Sequence, residues 1–166
     1  IVHMATYAPL FAHVEGWQWR PDMIWFDNLK SVRTCSYYVQ QLYSHNKGTN
    51  VVPLTMDKKP VGGQDGQDGL FASAVWDNDT KEYIVKVINT SDKAQPITLD
   101  FKGMKKKNKL TNGKCITFHS DNLDADNTVD NPNEVLPKES SVNIEGNVFN
   151  AEIGAKTFAI YKFTKE

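Results

Sequence analysis

The strongest constraint on the fold is a change of pattern near residue 48. Beyond it, the chain becomes a series of short apolar runs separated by Gly, Asn, Asp and Pro. In the run 97–102, every second residue is apolar, which gives a strand one buried and one solvated face. Seven runs of this kind, with 51–56 as an eighth candidate, predict two packed antiparallel sheets over residues 49–166. The seven runs are 70–76, 83–88, 97–101, 115–119, 142–144, 148–153 and 156–163.

Residues 1–48 contain a different pattern, in which aromatic residues crowd together. The continuous apolar run 23–26 indicates a strand that is covered on both faces, as in a parallel sheet. Residues 1–8 are predicted to be the end of a helix that stops near Pro9. The order of helix, buried strand and second helix is typical of the tail of an alternating α/β fold.

The second helix is predicted from apolar residues spaced three and four apart between residues 38 and 43. Thr34 or Ser36 is expected to cap its start, and Gly48 is expected to terminate it. The predicted fold class is therefore mainly β: an antiparallel β-sandwich over 49–166, preceded over 1–48 by a short α/β remnant of a (β/α)8 barrel.

Length and composition exclude several classes. A chain of 166 residues is too short for a complete barrel, which takes about 250 residues. The net charge of −1 gives no footprint for nucleic acid or for an anionic membrane, and no apolar run approaches the roughly 18 residues that cross a bilayer. Because the first residue is Ile and the first Met is at position 4, we expect the chain to be cut from a longer one.

The sequence offers no clear cofactor or metal site. The Gly-rich loop 61–69 has no Lys followed by Ser or Thr and does not lie between a strand and a helix, so it does not predict a phosphate loop. The acidic stretch 121–130 has no Gly at the sixth loop position and no closing Glu, so a solvated loop is favoured over a calcium site. Cys35 and Cys115 are expected to be buried thiols, and they leave the cellular compartment open.

Sugar contacts are the best functional candidates in the first part of the chain. Trp17, Trp19 and Trp25 offer flat apolar faces that suit a sugar ring, but aromatic residues more often fill a core. If 23–26 is a barrel strand, Asp27 lies at its carboxyl end, where barrel active sites are found. Trp17 and Trp19 precede that strand, so we expect them at the opposite, structural face unless their loop is long enough to reach the other end of the barrel. Asp27 is therefore the candidate substrate-binding residue.

Several segments together resemble one enzyme family. They are similar in sequence and order to the end of the catalytic barrel and the C-terminal β-sandwich of the α-L-arabinofuranosidases of glycoside hydrolase family fifty-one. The resemblance implies hydrolysis, with retention, of terminal α-L-arabinofuranosyl groups of arabinan, arabinoxylan or their oligosaccharides. In the family, the position that matches Asp27 carries a polar residue that can reach the sugar. The segments are 4–11, 19–27 and 37–43, then 69–73, 85–89 and 131–137.

The resemblance also implies that this chain lacks the reacting acids. Retention requires two carboxylates about 5–5.5 Å apart, and in the family both are Glu residues on barrel strands that precede the matched region. None of the seven Glu of this chain is predicted at the carboxyl end of a barrel strand. We therefore expect no catalytic residue here, an inactive isolated chain, and the N-terminal catalytic barrel as its partner, together with a possible homo-oligomer.

Two alternatives to a structural sandwich stay open. The first is a carbohydrate-binding module in which Trp76, Tyr83 or Tyr161 forms a platform for sugar rings. Trp76 shares its strand face with Leu70 and Ala74, as a core residue would, which weakens this interpretation. The second alternative is an unrelated sandwich protein with a helical N-terminal arm.

Overall fold

The computed structural model describes residues 4–104 and 109–165, which form two compact units. Unit 1 consists of the chain up to His45 together with Asn122–Leu136, and unit 2 consists of Asn46–Asp121 and the chain from Pro137 onward. The sequence analysis assigned 122–136 to the sandwich part, whereas the structure groups this segment with the N-terminal residues. The division at residue 48, as a statement about the domains of a parent protein, stays a prediction.

Unit 1 contains a small three-stranded sheet and one helix. The middle strand, β2, pairs in parallel with β1 and antiparallel with β3. Trp25 of β2, Val32 of β3 and Ala12 of β1 form the buried apolar cluster of this sheet. The elements are β1 (Phe11–His13), β2 (Ile24–Phe26), β3 (Ser31–Arg33) and α1 (Cys35–His45).

The structure confirms the strand and the second helix of the first part but changes their surroundings. Thr34 caps α1, because its Oγ1 accepts the N–H of Tyr37 at 3.4 Å. The helix ends at His45, so Gly48 does not terminate it. Gly48 instead has a φ of +63°, and a Cβ there would approach Cγ2 of Val75 to 2.7 Å. Residues 4–8 form no helix, which corrects that prediction, and residues 1–3 lie outside the described part.

The segment 122–136 is fixed to the rest of unit 1 by two polar side chains. Asp126 Oδ1 accepts the N–H of Cys35 at 3.1 Å, which places a carboxylate at the first turn of α1. The fully buried Asn127 donates from Nδ2 to the carbonyl oxygens of Arg33 and Val135, and its Oδ1 accepts the N–H of Val135. The bonds to Cys35 and Arg33 join residues more than ninety positions apart, which no local sequence pattern reveals.

Unit 2 is the predicted antiparallel sandwich. Its main sheet has the strand order β11-β10-β13-β8-β7-β4, a second sheet pairs β12 with β9, and β5 pairs with β6. All of these pairings are antiparallel. The strands are β4 (Asn50–Val52), β5 (Thr55–Met56), β6 (Lys59–Pro60), β7 (Leu70–Asp77), β8 (Glu82–Asn89), β9 (Gln95–Asp100), β10 (Leu110–Phe118), β11 (Lys138–Val142), β12 (Val148–Ile153) and β13 (Thr157–Lys165).

The core of unit 2 lies between its two sheets. Phe149 of β12 packs against Tyr161 and Phe163 of β13, with ring centroids 5.1 Å apart in both pairs. Phe163 is fully buried and also contacts Phe101 at 5.4 Å. Such aromatic pairs add to the free energy gained by burying apolar area. The alternating pattern read from the sequence therefore produces the inner faces of a two-layer core.

Candidate functional site

The carboxyl ends of β1 and β2 meet at one edge of the sheet of unit 1. His13 pairs with Phe26 across the two parallel strands, and the N–H of Val14 bonds to the carbonyl oxygen of Phe26 at 3.0 Å. The His13 ring packs edge-on against the Phe26 ring, with centroids 5.2 Å apart. Asp27 follows Phe26 directly, so it lies at the same edge as His13. Polar groups at such an edge are well placed for ligand contact.

The Asp27 carboxylate is engaged in the turn between β2 and β3. Its Oδ1 accepts the N–H groups of Leu29 at 2.7 Å and Lys30 at 2.6 Å. These backbone hydrogen bonds, that of Leu29 first, and the positive charges of Lys30 and His13 hold the pKa of Asp27 below its ordinary value. Asp27 is half-buried, and its Oδ2 makes no hydrogen bond to any described residue. A contact with substrate stays a prediction.

The tryptophans of unit 1 divide into one core residue and two exposed ones. Trp25 is buried, whereas 45% of the surface of Trp17 and 56% of the surface of Trp19 are accessible to solvent. Trp17 packs edge-on against Trp25 with centroids 6.1 Å apart. The Arg20 guanidinium lies 4.8 Å from the Trp17 ring and 5.1 Å from the Trp25 ring. This arrangement fits a pair of cation–π contacts that fix the arginine.

Trp17 and Trp19 lie in the loop 14–23, which leaves the carboxyl end of β1 and returns to the amino end of β2, because the two strands are parallel. The loop therefore spans both edges of the sheet, and the expected placement of these residues at the structural face stays a prediction. The three-residue strand Phe11–His13 is too short to give a periodic signal, so the sequence did not reveal it. Glu15 lies in this same loop, where its N–H bonds to Nδ1 of His13 at 3.2 Å.

The other acidic candidates have structural contacts. Asp126 caps α1, and Asp121 Oδ1 lies 3.1 Å from Nε2 of His119. Over residues 4–104 and 109–165, no group of three His, Cys, Asp or Glu side chains is arranged to hold a metal ion. The Gly-rich loop is closed by the buried Gln67, whose Oε1 accepts the N–H groups of Gly62 and Gln64. Glu166 lies outside the described residues.

Of the three aromatic residues proposed for a sugar platform on the sandwich, Trp76, Tyr83 and Tyr161, not all are accessible to a ligand. Tyr161 is buried and therefore inaccessible to a sugar ring. Trp76 and Tyr83 are both half-buried and pack on each other with centroids 4.7 Å apart. A groove of about 580 Å³ beside Tyr83 is lined mainly by aliphatic side chains from β7, β8 and β9. Such a lining suits apolar packing better than it suits sugar hydroxyls.

A helix able to span a bilayer does not occur within the described parts of the chain.

Comparison with known proteins identifies relatives of the whole chain. The family model for the α-L-arabinofuranosidase C-terminal domain matches residues 1–156. α-L-Arabinofuranosidase 1 of Arabidopsis thaliana is 27% identical over 169 residues, covering 100% of this chain and 24% of the relative. α-L-Arabinofuranosidase A of Aspergillus niger is 29% identical over 162 residues, covering 96% and 23%. The chain thus spans about a quarter of the length of these relatives.

Solved structures agree on the fold. The arabinose-bound α-L-arabinofuranosidase MgGH51 superimposes with a TM-score of 0.83 at 23% identity, covering 97% of this chain and 24% of that structure. The arabinose complex of the α-L-arabinofuranosidase from Thermotoga maritima gives a TM-score of 0.67 at 15% identity, covering 85% and 31%. At these identities, the likeness concerns the arrangement of strands and helix alone.

Proposed function

The chain belongs to the family of α-L-arabinofuranosidase C-terminal domains, and from this premise we propose that it is the accessory C-terminal part of a retaining α-L-arabinofuranosidase. The parent enzyme removes terminal non-reducing α-L-arabinofuranosyl groups from arabinan, arabinoxylan or their oligosaccharides. The observation that carries the proposal is the match of the family model over residues 1–156.

The chemistry of the reaction lies outside this chain. Retention requires a nucleophilic carboxylate and an acid/base carboxylate about 5–5.5 Å apart. Because the chain spans about a quarter of its relatives, most of the parent is elsewhere. Within the described residues, Glu15 is the one Glu in the loop that follows β1, and its N–H bonds to Nδ1 of His13. The pKa of Asp27 is lowered first by the backbone N–H groups of Leu29 and Lys30 and then by the charges of Lys30 and His13, whereas a coupled carboxylate would raise it.

Two features of unit 1 support a role as a piece of a larger barrel. The first is β1, which pairs with β2 on one side and has no strand partner on its other side among the described residues. The second is Asp22, which is 1% exposed, although neither carboxylate oxygen has a hydrogen-bond partner in the described part of the chain. A buried carboxylate normally requires a partner, so the side chain of Asp22 is incompletely satisfied within unit 1.

We therefore assign residues 1–48 to the end of the catalytic barrel and residues 49–166 to a sandwich that braces it. The catalytic barrel that precedes the chain is its main proposed partner, and a homo-oligomer of the parent enzyme is proposed alongside it. Asp27 remains the proposed substrate contact, since its Oδ2 is free of hydrogen bonds to the described residues.

The proposal is tested by comparing the purified 166-residue chain with the parent enzyme. Both are incubated with 4-nitrophenyl α-L-arabinofuranoside, and product stereochemistry is followed by proton NMR. We expect turnover with retention by the parent and no turnover by the chain. Hydrolysis by the chain alone, or a parent that leaves arabinofuranosides intact, contradicts the proposal.

A further inference from the structure

We propose that Trp17 and Arg20 form a sugar-contact platform, in which the indole face of Trp17 and the N–H groups of Arg20 bind a pentofuranose ring of the substrate. The inference rests on the proposed function and deepens it, because it assigns substrate recognition to two residues of this chain.

The platform is a fixed arrangement rather than two separate surface side chains. The Arg20 guanidinium lies within 4.8 Å of the Trp17 ring and 5.1 Å of the Trp25 ring, and Trp17 packs edge-on against Trp25. Trp25 is buried in the core of the small sheet. The buried indole thus anchors the two exposed side chains, which reduces the conformational entropy lost when a ligand binds.

The chemistry of the pair fits a sugar. Trp17 remains 45% exposed, so part of its apolar surface is available to the C–H face of a furanose ring. Arg20 is exposed and forms no ion pair or hydrogen bond with any described residue. Its planar fork can therefore donate to ring hydroxyls while its central carbon stays over the indole rings. One apolar face beside several donors is the usual composition of a small-molecule site.

The position of the platform favours substrate over a structural neighbour. The loop that carries Trp17 and Arg20 starts where β1 ends, at the edge where His13 and Asp27 meet. Ligands of parallel α/β sheets bind outside the carboxyl ends of the strands. Asp27, which the sequence selects as a substrate contact, follows the paired strand at that edge, and Trp17 is four residues beyond His13 along the loop that leaves it.

The test uses the full-length parent enzyme with Trp17→Ala, Arg20→Ala and Arg20→Lys. Steady-state kinetics on 4-nitrophenyl α-L-arabinofuranoside and calorimetric binding of arabinotriose are measured for each. We expect Trp17→Ala and Arg20→Ala to raise KM and Kd by about tenfold, which corresponds to 1.4 kcal/mol, with kcat changed less than threefold. Arg20→Lys keeps the charge but loses the planar fork, so its KM and Kd should lie between those of the wild-type enzyme and those of Arg20→Ala.

Leu29→Ala is the matched control, because Leu29 is 92% exposed on the neighbouring turn and is not part of the platform. If Trp17→Ala fails to fold, Trp17→Phe retains an aromatic face and should weaken binding by a smaller factor. If the Trp17 and Arg20 variants are active with unchanged KM and Kd and only a lower melting temperature, the proposal of a sugar platform is wrong. The two side chains then pack against the barrel instead. A parent that neither hydrolyses arabinofuranosides nor binds arabinotriose overturns the proposed function itself.

Discussion

The two units of this chain differ in the size of their apolar cores and in how completely their buried polar groups are hydrogen-bonded. Unit 2 has a core shared by two sheets, and its fully buried Asn89 uses both ends of its amide in hydrogen bonds. Unit 1 has three-residue strands, a small apolar cluster, exposed tryptophans and a buried carboxylate, that of Asp22, without a described partner. Unit 2 therefore has the features of a self-sufficient domain, whereas unit 1 has the features of one part of a larger domain.

The largest expected effect is the loss of the Phe163 ring from the core of unit 2. Phe163→Ala removes a fully buried side chain that contacts Phe101 and Phe149, so the free energy of unfolding should fall by about 3–5 kcal/mol. Urea denaturation followed by far-ultraviolet circular dichroism measures the change. Val148→Ala is the control, because Val148 lies on β12 but is 38% exposed. A loss below about 1 kcal/mol for Phe163→Ala contradicts a well-packed core.

Replacement of a buried asparagine in each unit is expected to have an intermediate effect on stability, and it compares the two units directly. Asn89 donates to the carbonyl oxygens of Lys93 and Gly154 in unit 2, and Asn127 donates to those of Arg33 and Val135 in unit 1. Replacing either by Ala leaves buried groups unsatisfied and should cost about 1–3 kcal/mol.

The two replacements should differ in extent. Asn89→Ala is expected to destabilise unit 2 as a whole, whereas Asn127→Ala should release mainly the segment 122–136. Amide hydrogen exchange read by mass spectrometry separates these patterns. Equal exchange increases across β8 and β13 in both variants would show that the units do not differ in this respect.

The smallest expected effect is an alkaline loss of stability from the two thiols. In unit 2, burial raises the pKa of Cys115 to about 11 from an ordinary value of 9.0. In unit 1, burial and then the charge of Asp126 raise the pKa of Cys35 to about 11. Below pH 9, both thiols are protonated in the folded and unfolded states. Between pH 9 and 11, the unfolded thiol ionises first, so stability falls as pH rises.

The loss is bounded by the size of the shift, at most about 2–3 kcal/mol per thiol. Cys115→Ala should flatten the decline measured by urea denaturation at pH 8, 9 and 10. Cys35 is less buried than Cys115, so Cys35→Ala should flatten it less. An unchanged pH slope in Cys115→Ala would exclude this thiol as a source of the decline.

Much of unit 2 could be predicted from local pattern. The strand 148–153 was located to the residue, and the strands at 70–76 and 83–88 were placed within one residue at each end. Alternation reveals such strands because each has one face in the core. The helix after Thr34 was recognised for a similar reason, since its cap is encoded by the residues next to it.

The candidate site was harder to predict, because its parts are brought together by pairing. Asp27 was correctly placed after a strand, but its turn hydrogen bonds to Leu29 and Lys30 were not foreseen. Trp17 and Trp19 were expected at the opposite face, because β1 gave no periodic signal, and the contacts of Arg20 with Trp17 and Trp25 were not foreseen. The burial of Tyr161 removes one of the three aromatic residues that the sequence offered for a sugar platform on the sandwich.

The sequence by itself determined the strand alternation, the helix with its cap and the resemblance to one enzyme family, because each is written in neighbouring residues. Only the tertiary structure decided that β1 runs parallel to β2, that 122–136 joins the N-terminal unit, and that the Arg20 guanidinium contacts two indole rings. These features depend on contacts between distant residues, whose free energy depends on burial and geometry that no short stretch of sequence encodes.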